Sequence, residues 1–166
     1  KRHELLVMQW EAGELQIVER IPVSRYPVNI AVSPDASHCT VASLWSRTIT
    51  TFGIKPAEGP ESPTLTKLNE LALSFAPRGQ LYLPDCEHVL VADAFTGQMA
   101  LLDVAAQSVA KISAKHVVRI YGMALSTDRG GLYVGHQTAQ RMRTSRRAPG
   151  VVDEGTTALT NFVGEY

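Results

Sequence analysis

Along most of the chain apolar and polar positions alternate with a period of two, in short runs broken by Pro, Gly and Asp. Val28, Ile30 and Val32 alternate with small or polar residues. The Pro34-Asp35-Ala36-Ser37 that follows has turn chemistry, because proline presets φ and aspartate bonds nearby backbone. Cys39, Val41 and Ser43, and then Thr48-Ile49-Thr50-Thr51-Phe52, are rich in β-branched and aromatic residues and read as two more strands, with Trp45-Ser46-Arg47 between them. Gly53, Pro56, Gly59, Pro60 and Pro63 exclude a helix or a central strand over 53–63, and Leu65-Thr66-Lys67-Leu68 reads as a short fourth strand. The pattern predicts a four-stranded antiparallel meander.

The same plan recurs. Ser33 to Ala42 (SPDASHCTVA) lies over Leu83 to Ala92 (LPDCEHVLVA), so that Asp35 matches Asp85 and Val41-Ala42 matches Val91-Ala92, each at an offset of 50 residues. A third copy runs from Ile120 to His136, where Asp128 precedes Val134 by the same six residues that separate Asp35 from Val41. Its interval is shorter, 43 residues from Asp85 to Asp128. Unequal intervals around a constant motif are what length changes in surface loops produce. In the second copy Gln80 to Leu83, Val89 to Ala92 and Gln98 to Val104 supply strands, and Val109 and Ile112 mark an outer one. A helix over Met99 to Lys111 competes, since alanine and leucine favour helices, but it breaks the repeat register.

Four-stranded units repeating every 40 to 50 residues or so point to a β-propeller, whose blades pack around a central channel. The fold expected is all-β: a partial β-propeller of about three four-stranded antiparallel blades, with blade repeats at 24–68, 69–115 and 116–166 and strands of a preceding blade in 1–23. Three and a fraction blades do not close a ring, and the chain opens on Lys1. The expectation is therefore part of a larger ring of about seven blades, completed by further blades or by self-association.

The strings RYPVNIAVSPD (Arg25 to Asp35), VASLWSRTIT (Val41 to Thr50), LSFAPRGQLYLPD (Leu73 to Asp85) and VADAFTGQMALLDV (Val91 to Val104) resemble YVTN-type propeller repeats of large bacterial proteins. They are similar in particular to the propeller regions that accompany cytochrome c or di-haem peroxidase-like modules in planctomycete-type proteins. The resemblance implies a periplasmic or extracellular scaffold, often beside a haem domain. The chain has no Cys-x-x-Cys-His to attach a haem, and no cofactor is expected within it. Its two cysteines, Cys39 and Cys86, fall at different motif positions and read as a strand residue and a turn residue in preference to a disulfide.

Charge narrows the partners. Sixteen basic and sixteen acidic side chains give no net charge, and no 18-residue apolar run is present, so neither nucleic acid nor membrane insertion is expected. One basic cluster, Arg141, Arg143, Arg146 and Arg147, reads either as a solvated loop or as a contact for carboxylate or phosphate groups. No aromatic residue interleaves it to stack bases. The five histidines show no metal-ligand spacing, and phosphate-loop and nucleophile-elbow motifs are missing.

If the chain carries a site, the repeat places it in the turns between the second and third strands of each unit: Trp45 and Arg47 in the first, Asp93 and Phe95 in the second. His136 and Gln137, after the third Val, and the arginine loop at 141–147 would join them on one rim. The expected function is a noncatalytic scaffold presenting this rim to a protein or small ligand. The alternative is the propeller portion of a haem-containing redox or electron-transfer protein whose haem module lies outside this chain.

Overall fold

The computed structural model describes residues 2–56, 62–113, 119–126, 131–138 and 160–165. Among them every regular element is a strand. A hairpin of β1 (Glu4–Glu11) and β2 (Glu14–Pro22) comes first. A four-stranded sheet follows, built from β3 (Pro27–Val32), β4 (His38–Ser43), β5 (Thr48–Lys55) and β6 (Thr64–Ala72). A second four-stranded sheet holds β7 (Pro77–Tyr82), β8 (His88–Asp93), β9 (Gln98–Asp103) and β10 (Ser108–Ser113). A three-stranded sheet holds β11 (Ile120–Leu125), β12 (Leu132–Thr138) and β13 (Thr160–Glu165). Within each sheet neighbours follow chain order and every pair is antiparallel, so each unit is a meander.

Register confirms that the units are copies. Pro27 pairs Ser43, Pro77 pairs Asp93 and Ile120 pairs His136, and in all three the register shifts one step later, before Asn29, Gly79 and Gly122. Beyond the shift Ile30, Gln80 and Met123 oppose Val41, Val91 and Val134. The 50- and 43-residue offsets are thus offsets between equivalent ladder positions. Asp128 itself lies outside the described residues, but Ser126 N–H donates to Gly131 O as Ser33 donates to His38 O and Leu83 to His88 O.

The Pro-Asp turns explain themselves chemically. Ala36 N–H donates to Ser33 O and Cys86 N–H to Leu83 O, closing four-residue turns with proline second and aspartate third. Ala36 and Cys86 then take left-handed φ values of 56° and 64°. Asp35 Oδ1 accepts from Ser37 N–H and from the Ser33 hydroxyl, which in turn accepts His38 N–H. In the second unit Leu83 has no hydroxyl, and Asp85 Oδ1 takes His88 N–H directly together with Glu87 N–H. The same backbone shape is held by two side-chain solutions.

Successive sheets pack face to face, and the alternation along β4 and β8 divides each strand between two seams. Cys39 and Val41 pack with Leu5 and Phe52 at the seam with the first hairpin. Ala42 and Ile49 meet Val89, Val91, Ala100 and Leu102 at the second seam, and Leu90, Ala92 and Met99 meet Ile120 and Val134 at the third. Each fully buried Val, Ile or Phe in these seams contributes roughly 1.5–3 kcal/mol relative to an exposed one. The inner strand β7 touches both β3 and β11, so the first strand of each unit lies beside that of the next. Met8, Trp10, Leu15 and Ile17 stand exposed on the hairpin, and Met8 pairs Ile17 as Trp10 pairs Leu15, so they share one face.

Two expectations change at the edges, and one competing reading falls away. β6 runs to Ala72, beyond the Leu68 end expected, so the first unit ends near 72 and not at 68. Its burial alternates, and the polar Lys67, Asn69 and Glu70 of an outer strand hid its length. Met99 to Lys111 forms the two strands that the repeat register predicts, joined by a turn in which Asp103 Oδ1 accepts Ala106 N–H, and not the competing helix. β12 continues to Thr138, which leaves His136 and Gln137 within a strand paired to Phe162 and Asn161 rather than at its end.

Candidate functional site

The β4–β5 and β8–β9 turns stand side by side on one rim. Between them opens a cavity of about 260 Å³. Trp45, Arg47, Asp93 and Phe95, the four rim residues singled out in those turns, all line it. Ser74, Phe75, Ala76, Thr96 and Gln98 complete the lining. Phe75, Ala76 and Asp93 are buried and form its base, whereas Trp45 and Phe95 are 62% and 55% exposed.

Each turn has a local reason for its shape. Arg47 closes the first in a left-handed conformation, φ 55°, with its N–H on Leu44 O. Asp93 organises the second, because its Oδ2 accepts both the Thr96 N–H and the Thr96 hydroxyl, as an aspartate does in a turn that mimics backbone hydrogen bonding. Its equivalent in the first unit, Ser43, instead donates to Ser24 O. That carboxylate therefore shapes the loop that presents Phe95.

A row of rings crosses the rim toward the first hairpin. Trp45 lies 6.4 Å from Phe95 and 6.2 Å from Tyr26, centroid to centroid, and Tyr26 lies 6.3 Å from His3. Tyr26 is held from all sides: its N–H donates to His3 Nδ1, its carbonyl accepts Leu44 N–H, and the preceding Arg25 N–H donates to the Ser46 hydroxyl. One residue earlier, the Ser24 hydroxyl donates to Glu70, which also accepts from Lys67 Nζ and the Thr50 hydroxyl. The Lys67 hydrogen bond, with those of Ser24 and Thr50, outweighs partial desolvation and holds the Glu70 carboxyl below its ordinary range. Sequence reasoning missed Tyr26 and His3. The signal was an aromatic directly before Pro27 at a strand start, at the same end as the Trp45 turn.

The remaining candidates are less gathered. His136 occupies the ladder position of Ser43 and Asp93 one unit on, outside the cavity lining, and its Nδ1 is buried with no partner among the described residues. Gln137 is described only as a β12 backbone position. Arg141, Arg143, Arg146 and Arg147 lie outside the described residues.

For catalysis the cavity offers one carboxylate, already committed to Thr96, and one guanidinium. Among the described residues no histidine or second carboxylate lines it. Among the described residues no three His, Cys, Asp or Glu side chains are grouped to hold a metal ion. At the opposite end of the first unit, Asp35, Ser37 and His38 hydrogen-bond in a row, but the Ser37 hydroxyl donates to Asp35 and lies against His38 Nδ1, a turn lock and not a nucleophile relay.

No family model matches the chain, and no curated protein matches it. A crystal structure of a protein from Lactobacillus plantarum, with a propeller-like fold, superposes at a TM-score of 0.61 with 16% identity, over 98% of this chain and 50% of that one. The fold is a partial β-propeller. The chain spans half the length of that protein, and the likeness concerns architecture alone. In propeller terms the two four-stranded sheets are blades, and the cavity lies on the rim at the seam between them.

Proposed function

We propose that the chain is a noncatalytic propeller scaffold that binds a protein or ligand at this rim. The observation that carries the reading is the convergence of Trp45, Arg47, Asp93 and Phe95, from turns 50 residues apart in sequence, on one cavity with two exposed aromatic walls. A rigid platform with exposed rings beside a charged group supplies contact area at low entropic cost, which suits recognition. The cavity is smaller than the roughly 300 Å³ or more typical of small-molecule sites, which suits a side chain or a single unit of a longer ligand. Probing peptide and glycan arrays with the wild type and with Trp45→Ala tests this: binders lost in the variant are expected, and binders indifferent to it, or none, refute the rim.

The finer likeness of the strings to YVTN-type repeats belongs to the same proposal, and with it a periplasmic or extracellular setting. Fractionation of the native host with an antibody to the chain checks that setting, and a cytoplasmic signal alone would reject it.

A further inference from the structure

The first hairpin is the outer half of a blade. Its register shifts between Val7 and Met8, at the same step from the strand start as the shift between Thr51 and Phe52 where β5 pairs β6. Val23 N–H donates to His3 O as Leu73 N–H donates to Arg47 O. β1 and β2 thus hold the places of β5 and β6, yet among the described residues no strand covers the β1 edge that β4 covers on β5. A bare edge is a template for pairing with another chain. The inner strand β3 is uncovered on the same side. Ile30 and Val32 are 52% and 53% exposed, whereas Tyr82, the ladder equivalent of Val32, is 5% exposed, and Gln80, that of Ile30, reaches two carbonyls of the preceding blade.

The other end of the arc offers the complement. Within the chain, Met123 of β11 lies over Gly79 of β7, its Cε 3.6 Å from where a Cβ on that glycine would stand. Gly122, the equivalent of Gly79, meets no neighbour within 4 Å at that place, and Ala124 beside it is exposed. Tyr133 is exposed too, although its ladder equivalents Thr40 and Leu90 are buried. Ile30 is the ladder equivalent of Met123. The large side chains uncovered at one end therefore match the small ones uncovered at the other, in the register of a seam inside the chain.

We infer that a second copy of this chain closes the ring head to tail, its β11 and β12 completing the blade that the β1–β2 hairpin begins. Ile30 of each copy then lies over Gly122 of the other. β1 takes the place on β12 that β13 holds within one chain, a strand for a strand. The register of β4 on β5 carries over, which sets Leu6 opposite Val134 and Glu4 opposite His136, whose buried Nδ1 has no partner among the described residues. Two whole blades from each copy and two composite ones make a six-bladed ring. Head-to-tail contacts close when the rotation between copies divides the circle, and this chain matches 50% of the length of the propeller-like protein on which it superposes. Both junctions repeat the build of the internal seams, the core cut in half that obligate homodimers share.

Light scattering on the full chain supplies the test, and a mass of twice 18.1 kDa is expected. Ile30→Asp alters a side chain open to solvent in a single copy, so it is expected to halve that mass with far-ultraviolet circular dichroism unaltered. Val109→Asp, on the outer strand β10, is expected to leave the mass unchanged. A chain carrying Glu4→Cys and His136→Cys, with Cys86→Ser to remove the partly exposed native thiol, places its two new thiols at opposite ends of one arc. Oxidation is expected to join two copies and no more. A monomeric or polydisperse wild type overturns the proposal. A dimer that survives Ile30→Asp or forms no cross-link overturns it as well, and a ladder of higher multiples overturns the closed ring.

Discussion

Gln80 tests the seam between the two four-stranded blades at a single side chain. It stands on β7, the inner strand of the second blade, and its Nε2 lies 3.0 Å from both Asn29 O on β3 and Thr40 O on β4. Two carbonyls demand the NH₂ end of the amide, and Oε1 is then buried with no partner among the described residues. Gln80→Ala removes two hydrogen bonds, each worth about 1 kcal/mol net, so a loss of about 1–3 kcal/mol is expected. In a chain of this length that lowers Tm by roughly 2–12 °C. Gln80→Met keeps the stem and removes the unpaired oxygen as well as the donor, so it is expected to cost less than Gln80→Ala. Gln80→Glu sets an anion against two carbonyls and is expected to cost the most at neutral pH, with part of the loss recovered in acid as the carboxyl gains a proton and becomes a donor. Urea unfolding followed by circular dichroism orders the series. If Gln80→Glu proves no worse than Gln80→Ala, or Gln80→Ala matches the wild type, the amide does not clasp the two blades.

Ala36 and Cys86 adopt left-handed φ where glycine has no Cβ penalty, so Ala36→Gly and Cys86→Gly are each expected to raise stability by about 0.5–1 kcal/mol in the same unfolding assay. Burial pushes the Cys39 thiol up to about 11 while Cys86 is partly exposed; a thiol reagent is therefore expected to label Cys86 in the native protein and Cys39 only after denaturation, counted by mass spectrometry. At the second Pro-Asp turn, the hydrogen bond that His88 Nδ1 donates to Asp85 raises the His88 pKa above its ordinary 6.5, and against desolvation the hydrogen bonds donated by His88 and Glu87 lower that of Asp85. The histidine's share of stability is then complete below 6.5 and lost as pH rises through its folded value; the aspartate's share is present above its ordinary 3.8 and lost as pH falls through its folded one. The pair is expected to hold the turn best between those limits, and an NMR titration of His88 that midpoints at or below 6.5 would contradict it.

The parts of this fold that could be read from the sequence are those set by local chemistry. Pro-Asp turns declare themselves through proline's fixed φ and aspartate's reach, and Val41-Ala42 and Val91-Ala92 repeat because each pair must serve two seams, Val to the unit before and Ala to the unit after. The extent of β6 was hidden because an outer strand tolerates Lys67, Asn69 and Glu70 on its surface, which blurs the alternation that marks a strand. Trp45, Arg47, Asp93 and Phe95 could be placed on one rim from the repeat alone, yet their sharing a cavity depends on Ser74-Phe75-Ala76, the entry to β7, which the repeat pattern does not set beside those turns. Tyr26 joins the row through its hydrogen bonds with His3 and Leu44 and that of Arg25 with Ser46, partners scattered over more than 40 residues, and such convergence leaves no mark in any single window.

The radial order of the blades is the central claim, and methyl-labelled NMR reads it directly. Nuclear Overhauser contacts are expected from Val41 to Leu5, from Val91 to Ala42 or Ile49, and from Val134 to Leu90 or Ala92, the three seams in chain order. Contacts joining Val41 to Val91, or Val91 to Val134, would pack equivalent faces against each other as in a sandwich, and would contradict the propeller.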